Sequence, residues 1–209
     1  MIDQLITDDP TTATIDYPAL VNPPYHVGLI MDGNGRWAQA RSRSRYQGHR
    51  AGVENLRRIF RYSVEFGVKM LTIYAFSTEN WGRPAAEVQG LLRLLEHVLE
   101  RELQELHQNG VQLRHLGDIG PLSPAIQNKI KRAVELTRFN ERLIVNVAFN
   151  YGGRQEIVQA VQAIVRDQVP PEQIDETLLS RYLYTGLSPD PDLIIRTSGE
   201  FRSSNFLLW

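Results

Sequence analysis

Short apolar runs alternate with longer segments of helical periodicity, and this alternation constrains the fold more than any other feature. Each run is too short for a helix and is typical of a buried strand. The runs lie at residues 25–31, 69–76, 111–116, 143–149 and 192–195. Helical patterns lie at about 37–43, 48–66, 84–109, 121–139, 153–167 and 172–184. The alternation predicts one α/β domain over residues 25–209, with a mostly parallel sheet that is flanked by helices and buried on both faces.

Composition excludes several classes of protein. The chain has no cysteine, so disulfides, thiol catalysis and thiolate metal sites are excluded, and a cytoplasmic protein is expected. A net charge of −1 gives no global reason to expect nucleic acid as a partner. No apolar run approaches the roughly 20 residues that span a bilayer, and no signal peptide precedes the first strand. Residues 1–24 carry four aspartates and no basic residue, and we expect them to form an irregular acidic leader.

Polar and charged residues follow the predicted strands at the points where the strands end. Asp32 follows the first strand, and polar loops at 77–83, 150–154 and 196–204 follow three others. Ligands of parallel α/β sheets bind outside the carboxyl ends of the strands. The sequence therefore predicts one crevice at this edge of the sheet as the site of a reaction.

The loop after the first strand has the composition of a phosphate site. Gly33 and Gly35 allow a tight turn that brings backbone N–H groups close to a ligand, and Arg36 adds a cation. Asp32 beside them favours Mg²⁺, which is commonly held by one or two carboxylates together with substrate phosphates. Two alternatives remain open. Aspartate is a common helix N-cap, so Asp32 could simply cap the next helix. Residues 33–38 also match G-x-G-x-x-A of dinucleotide-binding folds, but Glu54, which has roughly the spacing of the acidic residue of those folds, lies inside a helical pattern.

Arginines are concentrated near these loops. Residues 33–53 contain five arginines and no acidic residue, and Arg196 and Arg202 lie near the other end of the chain. Guanidinium groups bind phosphate oxygens in a bidentate manner, so the two sets favour two phosphate groups and hence two substrates. A solvated helix face or a nucleic-acid patch is the alternative for the first set. His49 beside Arg45 either donates to a phosphate or is simply packed.

Several stretches together resemble the cis-prenyltransferase family, which includes bacterial undecaprenyl diphosphate synthase. They are HVGLIMDGNGRWA (26–38), RYQGHRAG (45–52), LTIYAFSTENWGRP (71–84), NVAFNYGGR (146–154) and DLIIRTSGEFRSSNFLLW (192–209). The resemblance implies a central sheet of about six strands and a hydrophobic tunnel. The leucine stripe at 88–106 is the candidate for the tunnel wall, and the alternative is that these leucines belong only to the core. It also implies a Mg²⁺-dependent condensation of isopentenyl diphosphate with an allylic diphosphate, usually farnesyl diphosphate, to give a cis-polyprenyl diphosphate.

The resemblance also implies roles for individual residues. Asp32 is the metal-binding catalytic acid. Asn80 matches the residue that takes part in proton removal, but a neutral amide is a poor base, so we expect Asn80 to position the substrate and not to accept the proton. The implied substrate-binding residues are Gly33, Asn34, Gly35, Arg36, Trp37, Arg45 and His49 at the allylic diphosphate, Ser77, Thr78, Glu79, Trp81 and Arg83 in a second loop, and Arg196, Arg202, Ser203 and Ser204 at the isopentenyl diphosphate.

The resemblance carries expectations about assembly and one departure. Members of this family are expected to form homodimers, and a lipid product implies peripheral contact with a membrane. They continue past the position of Trp209 with a strand, a helical segment and a glutamate that completes the metal site, so we expect this chain to be truncated at its C-terminus. A non-catalytic partner subunit or an inactive fragment is the alternative to an active enzyme.

Overall fold

The computed structural model describes residues 21–209. The predicted acidic leader falls mainly on residues 1–20, outside the described residues, and residues 21–24 have no regular secondary structure. Five strands form one sheet in the described part of the chain, in the order β3-β4-β2-β1-β5 with all neighbours parallel. They are β1 (His26–Ile30), β2 (Met70–Ser77), β3 (Val111–Leu116), β4 (Leu143–Tyr151) and β5 (Leu193–Arg196). The predicted parallel α/β domain is confirmed.

The helices lie between the strands as the alternation predicts. They are α1 (Asn34–Gln39), α2 (Arg45–Glu65), α3 (Ala85–Arg101), α4 (Leu103–Gln108), α5 (Pro124–Thr137), α6 (Gly153–Arg166) and α7 (Glu176–Tyr182). Local signals explain several starts: Ser44 and Gln47 form a capping box at α2, and the Ser123 and Asp175 side chains cap α5 and α7. The single helix predicted over 84–109 is wrong, because it is interrupted at Glu102.

Two further expectations about the sheet need correction. The sheet has five strands in residues 21–209, where about six were expected. The apolar run 206–209 forms no strand, since the backbone takes a positive φ at Ser204, Asn205 and Leu207. The expected burial on both faces fails for β5, an edge strand whose isoleucines and leucine are 42–45% exposed, whereas the apolar residues of β3 at the opposite edge are buried.

A cavity of about 1180 Å³ runs from the carboxyl edge of the sheet between α2, α3 and the sheet itself. Its inner part is apolar and includes Leu56 and Phe60 of α2, Leu91 and Leu95 of α3, and Val147 of β4. The leucine stripe of α3 therefore does line a tunnel, and its leucines also pack on the core. The cavity mouth lies among the strand-end loops that carry the predicted site.

Candidate active site

Asp32 lines the cavity and lies two residues after the end of β1. The strand register places Arg196 of β5 opposite Ile30, so the ends of β1 and β5 come together. Arg196 donates to Asp32 Oδ2 from Nη2 at 2.7 Å and from Nε at 3.3 Å, while the Gly33 N–H donates to Oδ1 at 2.6 Å. Burial alone would raise the pKa of Asp32, but these hydrogen bonds and the charges of Arg196 and Arg36 hold the pKa below its ordinary value. Asp32 is therefore an anion at neutral pH.

Thr197 locks the backbone of the same turn. Its hydroxyl accepts from the Asp32 N–H at 2.9 Å and donates to the Asp32 carbonyl at 2.6 Å. Gly33 takes φ +93°, where a Cβ would lie 2.4 Å from Ser198 Oγ. The turn after β1 is thus fixed from the β5 side.

Helix α1 begins at Asn34, three residues before the predicted start at residue 37.

A second carboxylate, Glu200, lies beside Asp32 and was missed in the sequence. Arg36 lies between the two acids, with Nη2 at 3.0 Å from Glu200 Oε1 and 3.8 Å from Asp32 Oδ1. Arg202 also contacts both, through an ion pair with Glu200 and at 4.0 Å from Asp32 Oδ2. We call Asp32, Arg36, Arg196, Glu200 and Arg202 the Asp32 cluster. It holds three guanidinium groups around two carboxylates.

A separate group of basic residues surrounds Glu87, the other acid that the sequence analysis missed. Arg83 Nη1 lies 2.7 Å from Glu87 Oε1, His49 Nε2 lies 3.5 Å from it, and Arg45 Nη1 lies 3.6 Å from Oε2. We call these four residues the Glu87 cluster. Burial raises the pKa of Glu87, but the hydrogen bond and charge of Arg83 bring it below the ordinary value. The spacing of Arg83 and Glu87, four residues apart at a helix start, is the signal that could have found this acid.

His49 has an incompletely satisfied ring. Its Nε2 is buried and has no hydrogen-bond partner in the described residues. Burial lowers the pKa of His49, and the charges of Arg83 and Arg45 lower it further, while Glu87 acts in the opposite direction. A ligand oxygen at the mouth would satisfy this nitrogen.

Asn80 and Trp81 lie in a short 3₁₀ helix, Thr78–Gly82, that follows β2. The Asn80 Oδ1 accepts from the Ser77 N–H at 3.0 Å, so this oxygen already has a fixed partner. Trp81 packs edge-on against Phe76 and donates from Nε1 to Asn150 Oδ1 at 2.8 Å. This arrangement suits Asn80 as a positioning group, because its NH₂ has no hydrogen-bond partner among residues 21–209 and its oxygen already accepts from Ser77.

The structure brings most predicted site residues to the cavity, but not all. Those that line it are Asp32, Asn34, His49, Ser77, Glu79, Asn80, Arg83, Arg196, Arg202 and Ser204. Those that lie outside its lining are Gly33, Gly35, Arg36, Trp37, Arg45, Thr78, Trp81 and Ser203. Trp37 instead stacks with the guanidinium groups of Arg41 and Arg43, at 4.6 and 5.4 Å from its ring centre.

The mouth suits a divalent cation only with help from a ligand. No group of three or more His, Asp or Glu side chains that could hold a metal occurs within residues 21–209. Asp32 is ionised, 28% exposed and within reach of the cavity, so it can supply one carboxylate. Mg²⁺ commonly takes one or two carboxylates and completes its shell with water and substrate phosphate oxygens. The donor set therefore fits Mg²⁺ that arrives with a diphosphate.

The comparisons with known proteins identify the family of this chain. The family model described as undecaprenyl diphosphate synthase matches residues 30–209. The chain belongs to this family. An isoprenyl transferase of Heliobacterium mobile is 53% identical over 190 residues, which cover 89% of this chain and 73% of the relative. Another relative is a ditrans,polycis-undecaprenyl-diphosphate synthase of Xanthomonas axonopodis pv. citri that is specific for (2E,6E)-farnesyl diphosphate. It is 47% identical over 190 residues, which cover 89% of this chain and 74% of the relative.

Solved structures of the family share the fold. Lavandulyl diphosphate synthase from Lavandula x intermedia, in complex with dimethylallyl diphosphate, superposes with a TM-score of 0.84 at 37% identity, over 90% of this chain and 83% of that one. A synthase of the undecaprenyl diphosphate type from Campylobacter jejuni superposes with a TM-score of 0.75 at 31% identity. The match covers 90% of this chain and 82% of that one. The chain is thus a member of a family of prenyl-transferring enzymes. No helix in residues 21–209 has the length and apolarity to cross a bilayer.

Proposed function

We propose that this chain condenses isopentenyl diphosphate with an allylic diphosphate, farnesyl diphosphate in the first instance, and repeats the step to build a cis-polyprenyl diphosphate. The observation that carries the proposal is one cavity of about 1180 Å³ whose lining joins members of both clusters, His49 and Arg83 from one and Arg196 and Arg202 from the other, to an apolar tunnel. Two diphosphates and a growing hydrocarbon chain need this combination of sites. The names of the relatives support the same chemistry.

The two clusters divide the substrates between them. In our proposal the allylic diphosphate binds the Glu87 cluster with Asn34, and its prenyl tail lies in the tunnel beside α3. Isopentenyl diphosphate binds Arg196, Arg202 and Ser204 of the opposite loop. The allylic C1–O bond breaks and diphosphate leaves, C1 bonds to C4 of isopentenyl diphosphate, and the released diphosphate takes the proton from C2 as the new cis double bond forms.

Side chains of the protein favour this step by stabilising the negative charge of the leaving diphosphate. The guanidinium of Arg83 and the unsatisfied Nε2 of His49 stabilise the negative charge that grows on the leaving diphosphate. Mg²⁺, when bound with the substrates at Asp32, neutralises diphosphate charge. Asn80, held by Ser77, orients the isopentenyl group with its NH₂. The tunnel excludes water from the allylic carbon as the bond breaks.

The test is incorporation of radiolabelled isopentenyl diphosphate with farnesyl diphosphate, with and without Mg²⁺. We expect a Mg²⁺-dependent, butanol-extractable product from the wild-type chain, and a loss of roughly a hundredfold or more in Asp32→Asn, because removal of a well-placed charge from a catalytic site costs on that order. Asp118→Asn is the matched control, since Asp118 also follows a strand but lies outside the cavity lining. A wild-type chain without incorporation contradicts the proposal and favours the alternative of a non-catalytic subunit or fragment.

Assembly and location stay proposals as well. We propose a homodimer, supported by the half-exposed apolar side chains of edge strand β5 and by Trp209, which is 49% exposed. Sedimentation velocity measures this directly. Cytoplasmic location and peripheral contact of the lipid product with a membrane remain predictions of the sequence.

A further inference from the structure

Asn205 connects three loops at the carboxyl edge of the sheet, and the sequence analysis assigned it no role. Its Nδ2 donates to Glu79 Oε1 at 2.7 Å, and its Oδ1 accepts from the Arg154 N–H at 2.9 Å. Its backbone carbonyl accepts from the Gly153 N–H at 2.7 Å. Glu79 follows β2, while Gly153 and Arg154 begin α6 after β4. One half-buried residue after β5 therefore ties together the ends of three strands.

The backbone at Asn205 is fixed in a conformation that suits asparagine. Its φ of 63° lies in the left-handed region, which asparagine enters more readily than most residues with a Cβ. The next residue, Phe206, is 1% exposed and stacks on Tyr74 with ring centres 4.6 Å apart. The Tyr74 hydroxyl donates to the Ser204 carbonyl at 3.3 Å. The loop is thus anchored on both sides of Asn205.

The residues just before Asn205 carry the cations of one diphosphate site. Arg196 donates from Nη1 to Ser204 Oγ at 2.7 Å and to the Arg202 carbonyl at 2.5 Å. A shift of the loop would move all three groups together. The hydrogen bonds of Asn205 within residues 21–209 do not involve the Glu87 cluster, so the other diphosphate site is independent of this anchor.

We propose that Asn205 is a positioning residue for the second substrate. By binding Glu79 and the start of α6, it holds Arg196, Arg202 and Ser204 in the arrangement that takes the diphosphate of isopentenyl diphosphate. The inference rests on the proposed function and deepens it, since it gives Asn205, a residue of the cavity lining, the task of holding the side chains of one substrate site in place. Asn205 therefore acts on the binding of one substrate of the two.

The test is the steady-state kinetics of Asn205→Gly. Glycine accepts φ 63° without strain, so this variant removes the side-chain hydrogen bonds and leaves the backbone conformation available. We expect the KM for isopentenyl diphosphate to rise roughly tenfold, the fold-change that about 1.4 kcal/mol of lost hydrogen bonding gives. We expect the KM for farnesyl diphosphate to stay within about twofold. Gln168→Gly, an exposed residue with φ 55°, is the control for the same kind of substitution.

A rescue experiment separates positioning from a general loss of structure. Asn205→Asp keeps the acceptor for the Arg154 N–H but replaces the donor to Glu79 with a second carboxylate, and its KM for isopentenyl diphosphate should rise. In the double variant Asn205→Asp/Glu79→Gln, donor and acceptor are exchanged, and the KM should return towards that of Glu79→Gln alone. A merely structural role would not restore the KM of one substrate in this way.

The outcomes are distinguishable. If the wild-type chain incorporates isopentenyl diphosphate and Asn205→Gly changes neither KM, or raises both equally, the positioning role is wrong while the proposed function stands. If the wild-type chain neither incorporates isopentenyl diphosphate nor binds it by calorimetry, the proposed function fails, and the positioning role fails with it.

Discussion

Replacement of Arg196 by glutamine should uncover the cation-binding face of Asp32. In the present structure both oxygens of Asp32 are occupied, Oδ1 by the Gly33 N–H and Oδ2 by two N–H groups of Arg196. A divalent cation must displace Arg196 before it reaches Oδ2. Anion binding to Arg196 and metal binding to Asp32 should therefore support one another.

The magnitude follows from the exposure of the pair. The Arg196 side chain is 10% exposed and that of Asp32 is 28% exposed, so their contact is partly shielded from solvent. A charge-assisted hydrogen bond in such a place contributes about 1.5–3 kcal/mol. We take the lower end because Asp32 keeps some water, and we expect Arg196→Gln to bind a divalent cation roughly tenfold more tightly in the absence of substrate.

The assay is titration of the substrate-free protein with Mn²⁺, with free Mn²⁺ followed by electron paramagnetic resonance. Arg36→Gln and Arg202→Gln are charge-matched controls, because each removes a guanidinium that lies 3.8–4.0 Å from Asp32 without a hydrogen bond to it. We expect at most about a threefold gain in the controls, the effect of one screened charge. The reasoning is refuted if Arg196→Gln gains no more than the controls, or if its gain survives in Asp32→Asn.

Two further predictions concern stability. Gly48→Ala should lower stability by about 2 kcal/mol, since a Cβ would lie 2.1 Å from the Asn34 carbonyl oxygen, whereas Gly82→Ala, with nothing within 4 Å, should change it by less than about 0.5 kcal/mol; thermal denaturation compares them, and equal effects would contradict the packing argument. Glu87→Gln should lower the free energy of unfolding by about 1 kcal/mol at pH 7, because it removes the ion pair with Arg83. Because the folded-state pKa of Glu87 is lowered, this stabilisation is present above its ordinary pKa of about 4.3 and is lost as the pH falls through the folded-state value. The difference between variant and wild type should therefore shrink in acid, and a difference independent of pH would contradict the assignment.

The strands were predictable because their signal is local. An apolar run that ends in Asp32 or in the 77–83 loop needs no knowledge of its neighbours, and strand–helix alternation leaves few arrangements besides a parallel sheet. The exposure of β5 was not predictable in the same way, since it depends on which other elements cover the strand and not on the sequence of the strand itself. The helix break at Glu102 was also hidden, because the leucine stripe continues across it and Glu102 forms its ion pair with Arg57 of a different helix.

The predicted site shows the same division between local and distant information. Asp32, Arg36 and Arg83 stand out because their loops interrupt apolar strands. Asn205 does not, since Glu79 lies 126 residues away in the sequence and the link exists only after the sheet has formed. Glu87 is an intermediate case, since its spacing from Arg83 was visible while its approach to His49 on another helix was not.

The acids that the sequence analysis missed explain how so many cations share one small mouth. Without carboxylates, the guanidinium groups of each cluster would repel one another and scatter into solvent. Glu87 holds one set and Glu200, with Asp32, holds the other, so each arginine is already ordered before a ligand arrives. An incoming diphosphate then exchanges with a carboxylate, which costs less ordering entropy than the capture of free side chains. Because each cluster has its own acid, the two diphosphates of the proposed reaction should load independently. The link through Arg196 then ties the second diphosphate to the exposure of Asp32, where its charge is needed.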